Sequence, residues 1–156
     1  MEWLKTSIDT LKDLINYLSK KSNTTDVHKK QIIRELNHNL SVFKNGFLNN
    51  VPYDAMIDLL SNEAVKQAAA ANFSFNKIKP GKIEPYHIFD DRNKRYTGWT
   101  VERILDKIDE KIEELRTIKK LNNGSVKNVK NNMVLMMSNL YYRLKLLADF
   151  IKSEVK

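Results

Sequence analysis

Residues Ser125–Lys152, SVKNVKNNMVLMMSNLYYRLKLLADFIK, form the most strongly patterned stretch of the chain. Apolar residues recur at intervals of three and four, which aligns their side chains along one face of an α-helix. This stripe consists of Val126, Val129, Met133, Met137, Leu140, Leu144, Leu147 and Ile151. Additional apolar residues beside it are Leu135, Tyr142, Leu146 and Phe150. Because the resulting surface is wider than one neighbour covers, the stretch predicts either the central helix of a bundle or half of a dimer seam.

Three further stretches show the same helical period. The first runs over about Glu2–Lys20, the second follows an N-cap at Thr24 or Thr25, and the third follows an N-cap at Thr100 and ends at Gly124. Their stripes are Leu4, Ile8, Leu11, Ile15 and Leu18; then Ile32, Leu36, Leu40, Phe43 and Phe47; then Val101, Ile104, Leu105, Ile108, Ile112, Leu115 and Ile118. Short connections at 22–25 and 121–125, with Ser125 as the cap of the last helix, predict two antiparallel hairpins.

Two kinds of segment lie between these hairpins. Short helical patterns cover about Tyr53–Leu60 and Glu63–Ala71, as one bent helix or as two helices, with Pro52 at the start and Ser61 or Asn62 as an internal cap. From residue 73 to residue 98 the helical period disappears, and aromatic residues accumulate. They are Phe73, Phe75, Tyr86, Phe89 and Tyr96, with Trp99 just beyond. Since disordered segments are poor in aromatics, we expect an ordered insertion that packs on the helices.

The chain is therefore predicted to be all-α and to form one domain over residues 1–156. The expected architecture is a four-helix bundle of two antiparallel α-hairpins, joined by a long crossover that contains short helices and the irregular, aromatic-rich insertion. A length of 156 residues suits one such domain and can bury a sizeable core without a metal or disulfide.

Composition narrows the classes of function. The chain has no cysteine, which excludes disulfide scaffolds, thiol catalysis and Cys-ligated zinc or iron–sulfur centres. Its N-terminus lacks the pattern of a signal peptide, and no apolar run is long enough to cross a membrane, so a cytoplasmic protein is expected. The net charge of +8 is compatible with nucleic acid, an acidic partner or an anionic membrane, but abundant Lys and Asn also reflect AT-rich coding.

The insertion carries the strongest candidate for a binding site. Cations and aromatics interleave along it, a combination that stacks bases and holds phosphates in nucleic-acid-binding proteins. The alternatives are a protein-binding surface, or aromatics that only cover one end of the bundle. The candidate binding residues are Tyr86, His87, Arg92, Arg95, Tyr96 and Trp99. His87, Asp90 and Asp91 are metal-ligand types, but their spacing matches no metal motif, so neither a metal nor a cofactor is predicted.

A second candidate lies in the second helix, where Arg34 and His38 are four residues apart and share a face. The surrounding stretch RELNHNL invites comparison with the HEPN superfamily of helical-bundle ribonucleases, whose active sites use an arginine and a histidine. In that family four to six residues separate the two, whereas three separate Arg34 from His38. The resemblance is limited to fold class and size, and no activity is carried over.

Two functional hypotheses follow. The first is a non-enzymatic protein–protein interaction module of a bacterial-type cytosolic protein, which binds another protein or self-associates as a homodimer through the C-terminal helix. The alternative is a nucleic-acid-binding or RNA-cleaving protein of a toxin–antitoxin or antiphage defence system, with Arg34 and His38 as the catalytic candidates. The acidic residues of the helix after Thr100, such as Asp109 and Glu113, are expected to form a solvated face. Any site is expected where the insertion meets the second and last helices.

Overall fold

The computed structural model describes residues 1–153, and this part of the chain contains helices but no β-strand. The α-helices are α1 (Ile8–Lys21), α2 (Val27–Leu48), α3 (Tyr53–Leu59), α4 (Glu63–Ala70), α5 (Val101–Leu121) and α6 (Met133–Lys152). The 3-10 helices are Glu2–Ser7, Phe75–Lys77, Pro85–His87 and Asp91–Tyr96. The predicted all-α class is confirmed. The predicted first helix is divided, since its first turns are 3-10 and only the remainder is α1.

Capping residues set the starts of α2 and α5. The Thr100 hydroxyl accepts a hydrogen bond from the backbone N–H three residues later, at 3.3 Å, as predicted. The predicted caps Thr24 and Thr25 of α2 are wrong. Asp26 takes this position, and its carboxylate accepts from the backbone N–H of Lys29 at 3.2 Å. A carboxylate adds a full negative charge at the positive end of the helix dipole, which a hydroxyl does not.

The start of α6 lies later than predicted, and Ser125 is not its cap. The Ser125 hydroxyl donates to one carboxylate oxygen of Asp54 at 2.7 Å, and the backbone N–H of Val126 donates to the other at 2.7 Å. Burial raises the pKa of Asp54, but these hydrogen bonds and nearby lysines outweigh it and hold that pKa below its ordinary value. Residues 122–132 therefore form a loop tied to α3, and Asn132 caps α6 by accepting from the N–H of Leu135 at 3.0 Å.

Helix α6 is the most buried element of the described chain. It packs against α1, α2 and α5 and against two 3-10 helices of the insertion. Every residue from Arg143 to Ile151 is buried. Tyr141 is fully buried, with its ring centroid 5.5 Å from the rings of both Trp3 and Phe43. The wide apolar surface predicted for this helix is thus covered within the chain from Met137 onward, whereas Leu135 near its start is exposed.

The insertion between α4 and α5 is ordered and packs on the helices. Its apolar residues Phe75, Ile78 and Ile83 are buried. Two backbone hydrogen bonds close its end, from the N–H of Ile83 to the carbonyl of Trp99 at 2.8 Å and from the N–H of Gly98 to the carbonyl of Ile83 at 2.7 Å. Gly98 has a φ of +88°, a conformation that favours glycine. These two hydrogen bonds hold the ends of the segment 83–99 together.

Candidate functional site

The candidate pair Arg34 and His38 lies beside a structural contact of α2. The His38 Nε2 lies 2.7 Å from the carbonyl oxygen of Leu59, the last residue of α3. Arg34 is exposed and forms no ion pair or hydrogen bond with a residue in the range 1–153. The geometry therefore gives His38 a role in holding the end of α3, while a catalytic role for the pair stays a prediction.

Two buried neighbours of this pair hold the start of α4. The Glu35 carboxylate accepts from the backbone N–H groups of Ala64 and Val65, at 2.8 and 3.1 Å, and from the hydroxyl of Ser61 at 2.7 Å. The Asn39 amide exchanges two hydrogen bonds with the backbone of Ser61, each 2.8 Å long. The polar stretch of α2 thus binds the α3–α4 connection through hydrogen bonds. This also explains why residues 53–70 form two helices rather than one.

The acidic residues of α5, which are predicted to form a solvated face, also make contacts within the fold. Buried Asn62 donates to Asp109 at 2.7 Å and to Glu113 at 2.8 Å, and it accepts from Arg116 at 2.8 Å. Glu113 also pairs with Lys66 at 2.6 Å. The hydrogen bonds from Lys66 and Asn62 lower the pKa of Glu113 to about 2. These carboxylates join α4 to α5 and do not face an open cavity together.

A concave surface with buried charged side chains lies between the insertion, α1 and α6. We call it the α1–α6 groove, and its volume is about 610 Å³. It is bordered by Thr10, Asp13 and Leu14 of α1, by Tyr86, Phe89 and Asp90 of the insertion, and by Tyr142, Lys145 and Asp149 of α6. The α1–α6 groove lies against the first and last helices, whereas the site predicted from the sequence lies where the insertion meets the second and last helices. A groove of this size is in the range that small ligands and single peptide side chains occupy.

A buried lysine forms the floor of the α1–α6 groove. The side chain of Lys145 is 5% exposed, and its Nζ lies 2.9 Å from Asp90 and 3.1 Å from Asp149. Burial lowers the pKa of this ammonium, but the charges and hydrogen bonds of both carboxylates outweigh burial and raise it above the ordinary lysine value. Lys145 therefore stays protonated and paired. A nucleophilic or basic lysine needs the opposite shift, so this arrangement does not suit Lys145 to either of those two roles.

His87 lies in the wall of the groove and is buried rather than presented to a ligand. Its Nδ1 accepts from the backbone N–H of Glu84 at 2.8 Å, and its ring lies 4.7 Å from the ring of Phe150. Burial lowers the pKa of His87, and the charge of Lys79 lowers it further. The imidazole is thus neutral at physiological pH and acts as a packing residue.

The aromatic rim of the groove is open to solvent. Phe89 is 73% exposed and Tyr86 is 53% exposed, although both border a cavity with a charged floor. The carboxylates and ammonium groups that line the groove are Asp13, Asp90 and Asp149 against Lys145 and Lys152. Three negative and two positive charges leave a formal net charge of −1. The groove is therefore locally acidic on a protein of net charge +8.

The other predicted binding residues gather on a separate surface, which we call the arginine face. The Arg103 Cζ lies 3.9 Å from the ring centroid of Trp99, and that ring lies 4.9 Å from the ring of Tyr96. The hydroxyl of buried Tyr96 accepts from Arg143 Nε at 2.6 Å, and Arg95 Cζ lies 5.1 Å from the Tyr96 ring. Each of these arginines stacks on or binds an aromatic ring.

Arg92 connects the arginine face to the groove. Its Cζ lies 4.2 Å from the ring of Tyr142, and its Nη1 donates to Ser138 at 3.1 Å and to Asn139 at 3.3 Å. Tyr142 also borders the groove. The six predicted binding residues thus divide between two neighbouring sites, with Tyr86 and His87 in one and Arg92, Arg95, Tyr96 and Trp99 in the other.

Several site residues were not identified from the sequence. They are Lys145 and Asp149 in the groove and Arg103 and Arg143 on the arginine face. The sequence does carry a signal for three of them. Arg143, Lys145 and Asp149 interrupt the apolar run 140–151, where a helix buries most positions and a charged residue needs a partner.

The structure gives no indication of a metal site or a membrane-spanning helix in residues 1–153. No group of three or more metal-ligating side chains converges there, and Asp91 of the trio His87, Asp90 and Asp91 pairs with Lys94. No helix in that range has both the length and the apolar character to cross a membrane. Comparison with protein-family models, with curated proteins and with solved structures finds no match to this chain.

Proposed function

We propose that this chain is a non-enzymatic protein-binding module and that a segment of a partner protein occupies the α1–α6 groove. The observation that carries the proposal is the exposure of Phe89 at the mouth of a cavity of about 610 Å³. Exposed aromatic side chains beside a pocket are the typical energetic centre of a protein interface. The partner segment would bring an apolar side chain to Phe89 and Tyr86.

The charge of the α1–α6 groove indicates a second feature of the partner segment. The groove has a formal net charge of −1, and its exposed carboxylate Asp13 is not part of the Lys145 cluster. A lysine or arginine of the partner would find carboxylate acceptors and two aromatic rings, which together favour a cation. The proposed occupant is therefore a segment of another protein in which a basic residue neighbours an apolar one.

A second copy of the chain is the less favoured occupant. Two chains of net charge +8 repel each other, and the apolar stripe of α6 is buried from Met137 onward. The exposed large apolar residues of α6 in the described chain are Val134 and Leu135, near its start. Light scattering after size exclusion tests self-association through the C-terminal helix directly. A mass that stays monomeric as the concentration rises would remove it.

The scaffold of this surface is, in the proposal, the predicted four-helix bundle of two antiparallel hairpins. The packing of α1 on α2, of α5 on α6, and of α6 on both α1 and α2 supports that arrangement. In line with the prediction from the sequence, we take the protein to be cytoplasmic and of bacterial type.

A displayed library of random peptides tests the binding site even though the partner is unidentified. Selection on the wild-type protein should yield peptides that combine a basic and an apolar residue. Fluorescence anisotropy should then show that Phe89→Ser weakens their binding at least tenfold, about 1.4 kcal/mol, and that Asp13→Asn weakens it by a smaller factor. Leu121→Ser is the matched control, because Leu121 is 79% exposed and outside the groove. Peptides that bind Phe89→Ser as tightly as wild type would refute the site.

A nucleic-acid-binding or RNA-cleaving function is the second candidate, and the arginine face supports it. Four of the six arginines of the chain lie there, on aromatic rings that orient their guanidinium groups. Gel shifts with single-stranded RNA and duplex DNA should show binding that weakens steeply with salt. No shift at low salt would contradict this candidate. If RNA is cleaved, His38→Ala tests the catalytic prediction, and unchanged cleavage would exclude His38.

A further inference from the structure

Arg143 is a buried arginine without a carboxylate partner in the described chain. The residue is 5% exposed and lies in the middle of α6. Its Nε donates to the neutral hydroxyl of Tyr96 at 2.6 Å. No acidic residue within 1–153 lies in ion-pair distance of its guanidinium, whereas the neighbouring buried cation Lys145 has two such partners. A buried charge is costly unless an opposite charge and hydrogen bonds compensate it.

The remaining amino groups of Arg143 are accessible to solvent. They have no hydrogen-bond partner among the described residues. The described side-chain atoms that are both fully buried and without a partner belong to His28 and Asn37, so the amino groups of Arg143 are not fully buried. Arg143 borders a cavity of about 100 Å³ between α5 and α6. The guanidinium therefore has donors available to a group inside this cavity.

The other walls of the cavity add a second positive charge. They include Lys111 and Glu114 of α5 and Asn139 of α6. Glu114 lies 2.8 Å from Lys111, so it partly neutralises that lysine and is not paired with Arg143. Two cations and one carboxylate leave a formal net charge of +1. Arg92 donates to the Oδ1 of Asn139 and adds a further cation beside the cavity.

We propose that this cavity binds a single tetrahedral oxyanion, a phosphate group, through Arg143 and Lys111. A guanidinium with two free amino groups matches two oxygens of a phosphate, and an ammonium supplies a third contact. The volume is roughly that of three water molecules, which suits one phosphate group but not a nucleotide. The ligand is therefore inorganic phosphate or the terminal phosphate of a small monoester, and its base or sugar would stay outside.

This site is distinct from the α1–α6 groove. Asn139 and Arg143 project from α6 on a different side from Lys145 and Asp149, because 3.6 residues make one turn. Bound phosphate would neutralise the unpaired Arg143 between α5 and α6. It is expected to stabilise the packing of these two helices and of Tyr96 in the insertion.

Isothermal titration and thermal unfolding with sodium phosphate test the site, against sodium chloride at matched ionic strength. We expect saturable binding of one phosphate per chain and a rise in Tm that chloride does not produce. Arg143→Lys should weaken binding at least tenfold because it keeps the charge but loses the paired donors, and Lys111→Met should weaken it several-fold. Lys12→Met is the control, since it removes one exposed cation from α1, outside this cavity. Arg143→Met should abolish binding.

Each result bears on the proposal even where Arg143→Met fails to fold, because Lys111→Met changes a partly exposed side chain. Equal effects of phosphate and chloride would overturn the site, as would unchanged affinity in both Arg143→Lys and Lys111→Met. A small phosphate monoester that competes with phosphate supports a terminal phosphate as the ligand. Binding of RNA without terminal phosphates, together with no binding of free phosphate, would overturn the proposal in favour of a nucleic-acid surface. None of these outcomes depends on what binds in the α1–α6 groove.

Discussion

Replacement of Glu35 by glutamine should destabilise the protein, although the two side chains have nearly the same volume. The Glu35 carboxylate is buried, and its two oxygens accept from the N–H groups of Ala64 and Val65 and from the Ser61 hydroxyl. A glutamine offers one oxygen and places an NH₂ group against the second set of donors. At least one buried N–H of α4 then loses its acceptor.

The magnitude follows from two contributions. A buried donor without a partner costs about 1–3 kcal/mol. Loss of the negative charge at the N-terminus of α4 costs a further ~0.3–1 kcal/mol. The free energy of unfolding of Glu35→Gln should therefore fall by about 1–4 kcal/mol. For a chain of this size the drop in Tm would be on the order of 10 °C.

Urea denaturation of wild type and variant measures this change through the midpoint at an unchanged slope. Glu63→Gln is the matched control, because Glu63 is an exposed glutamate in the first turn of the same helix α4. It loses only the interaction of its charge with the helix dipole and should cost less than about 1 kcal/mol. If Glu35→Gln costs no more than Glu63→Gln, the carboxylate does not hold the start of α4, and the reasoning is refuted.

Three further predictions concern charge and burial. Lys145→Met should lower the free energy of unfolding by about 3–5 kcal/mol because it leaves the Asp149 carboxylate buried and unpaired, and the double variant with Asp149→Leu should recover part of the loss in urea denaturation. Burial raises the pKa of Tyr141 from 10.0 to about 12. The contribution of this proton to the free energy of unfolding should be complete below pH 10, where the unfolded phenol also keeps its proton, and should be lost as the pH rises toward 12. The ultraviolet titration difference between wild type and Tyr141→Phe should be centred near pH 12, and a midpoint near 10 would contradict this burial. The pKa of Glu113 is lowered from 4.5 to about 2, so its contribution to stability should be present above pH 4.5 and lost as the pH falls toward 2. The difference in the free energy of unfolding between wild type and Glu113→Gln should therefore shrink in that window. The change should be smaller than the full pKa shift implies, because the side chain is 45% exposed and solvent screens its charge.

The candidate site was only partly predictable from the sequence. The interleaved cations and aromatics of residues 86–99 indicate Arg92, Arg95, Tyr96 and Trp99; the last three contact one another, and Arg92 contacts Tyr142 of α6. Their spacing did not separate them from Tyr86 and His87, because that division depends on how the 3-10 helices turn the chain between the groove and the arginine face. In the sequence Lys145 is one of several positive charges of the last helix, and its pairing with Asp90 arises only when the insertion packs on α6.

The two proposed sites depend on the same feature of the fold. The insertion meets α6 along the line of Asp90, Arg92 and Tyr96, and each of these residues contacts a polar group of that helix. A charged residue in an apolar helix needs such a partner from elsewhere in the chain. The insertion thus supplies Asp90 to the paired lysine of the groove and Tyr96 to the arginine that borders the cavity between α5 and α6.

Local sequence was sufficient for the helices themselves. The period of apolar residues located α1, α2, α5 and most of α6, and Thr100 was recognised as a cap because its hydroxyl bonds the backbone only three residues away. Such features depend on contacts within one or two turns. They predicted the all-α class without reference to any tertiary contact.

Tertiary contacts decided the remainder. Ser125 has the chemistry of a cap but is held by Asp54 of α3, so α6 begins later. Glu35 resembles an ordinary polar residue of α2, yet it binds the start of α4. In each case the partner is distant in sequence, and a hydrogen bond between distant residues is specified by how the helices pack, which no local pattern contains. The same holds for the pairing of Lys145 and the open guanidinium of Arg143, on which both proposed sites depend.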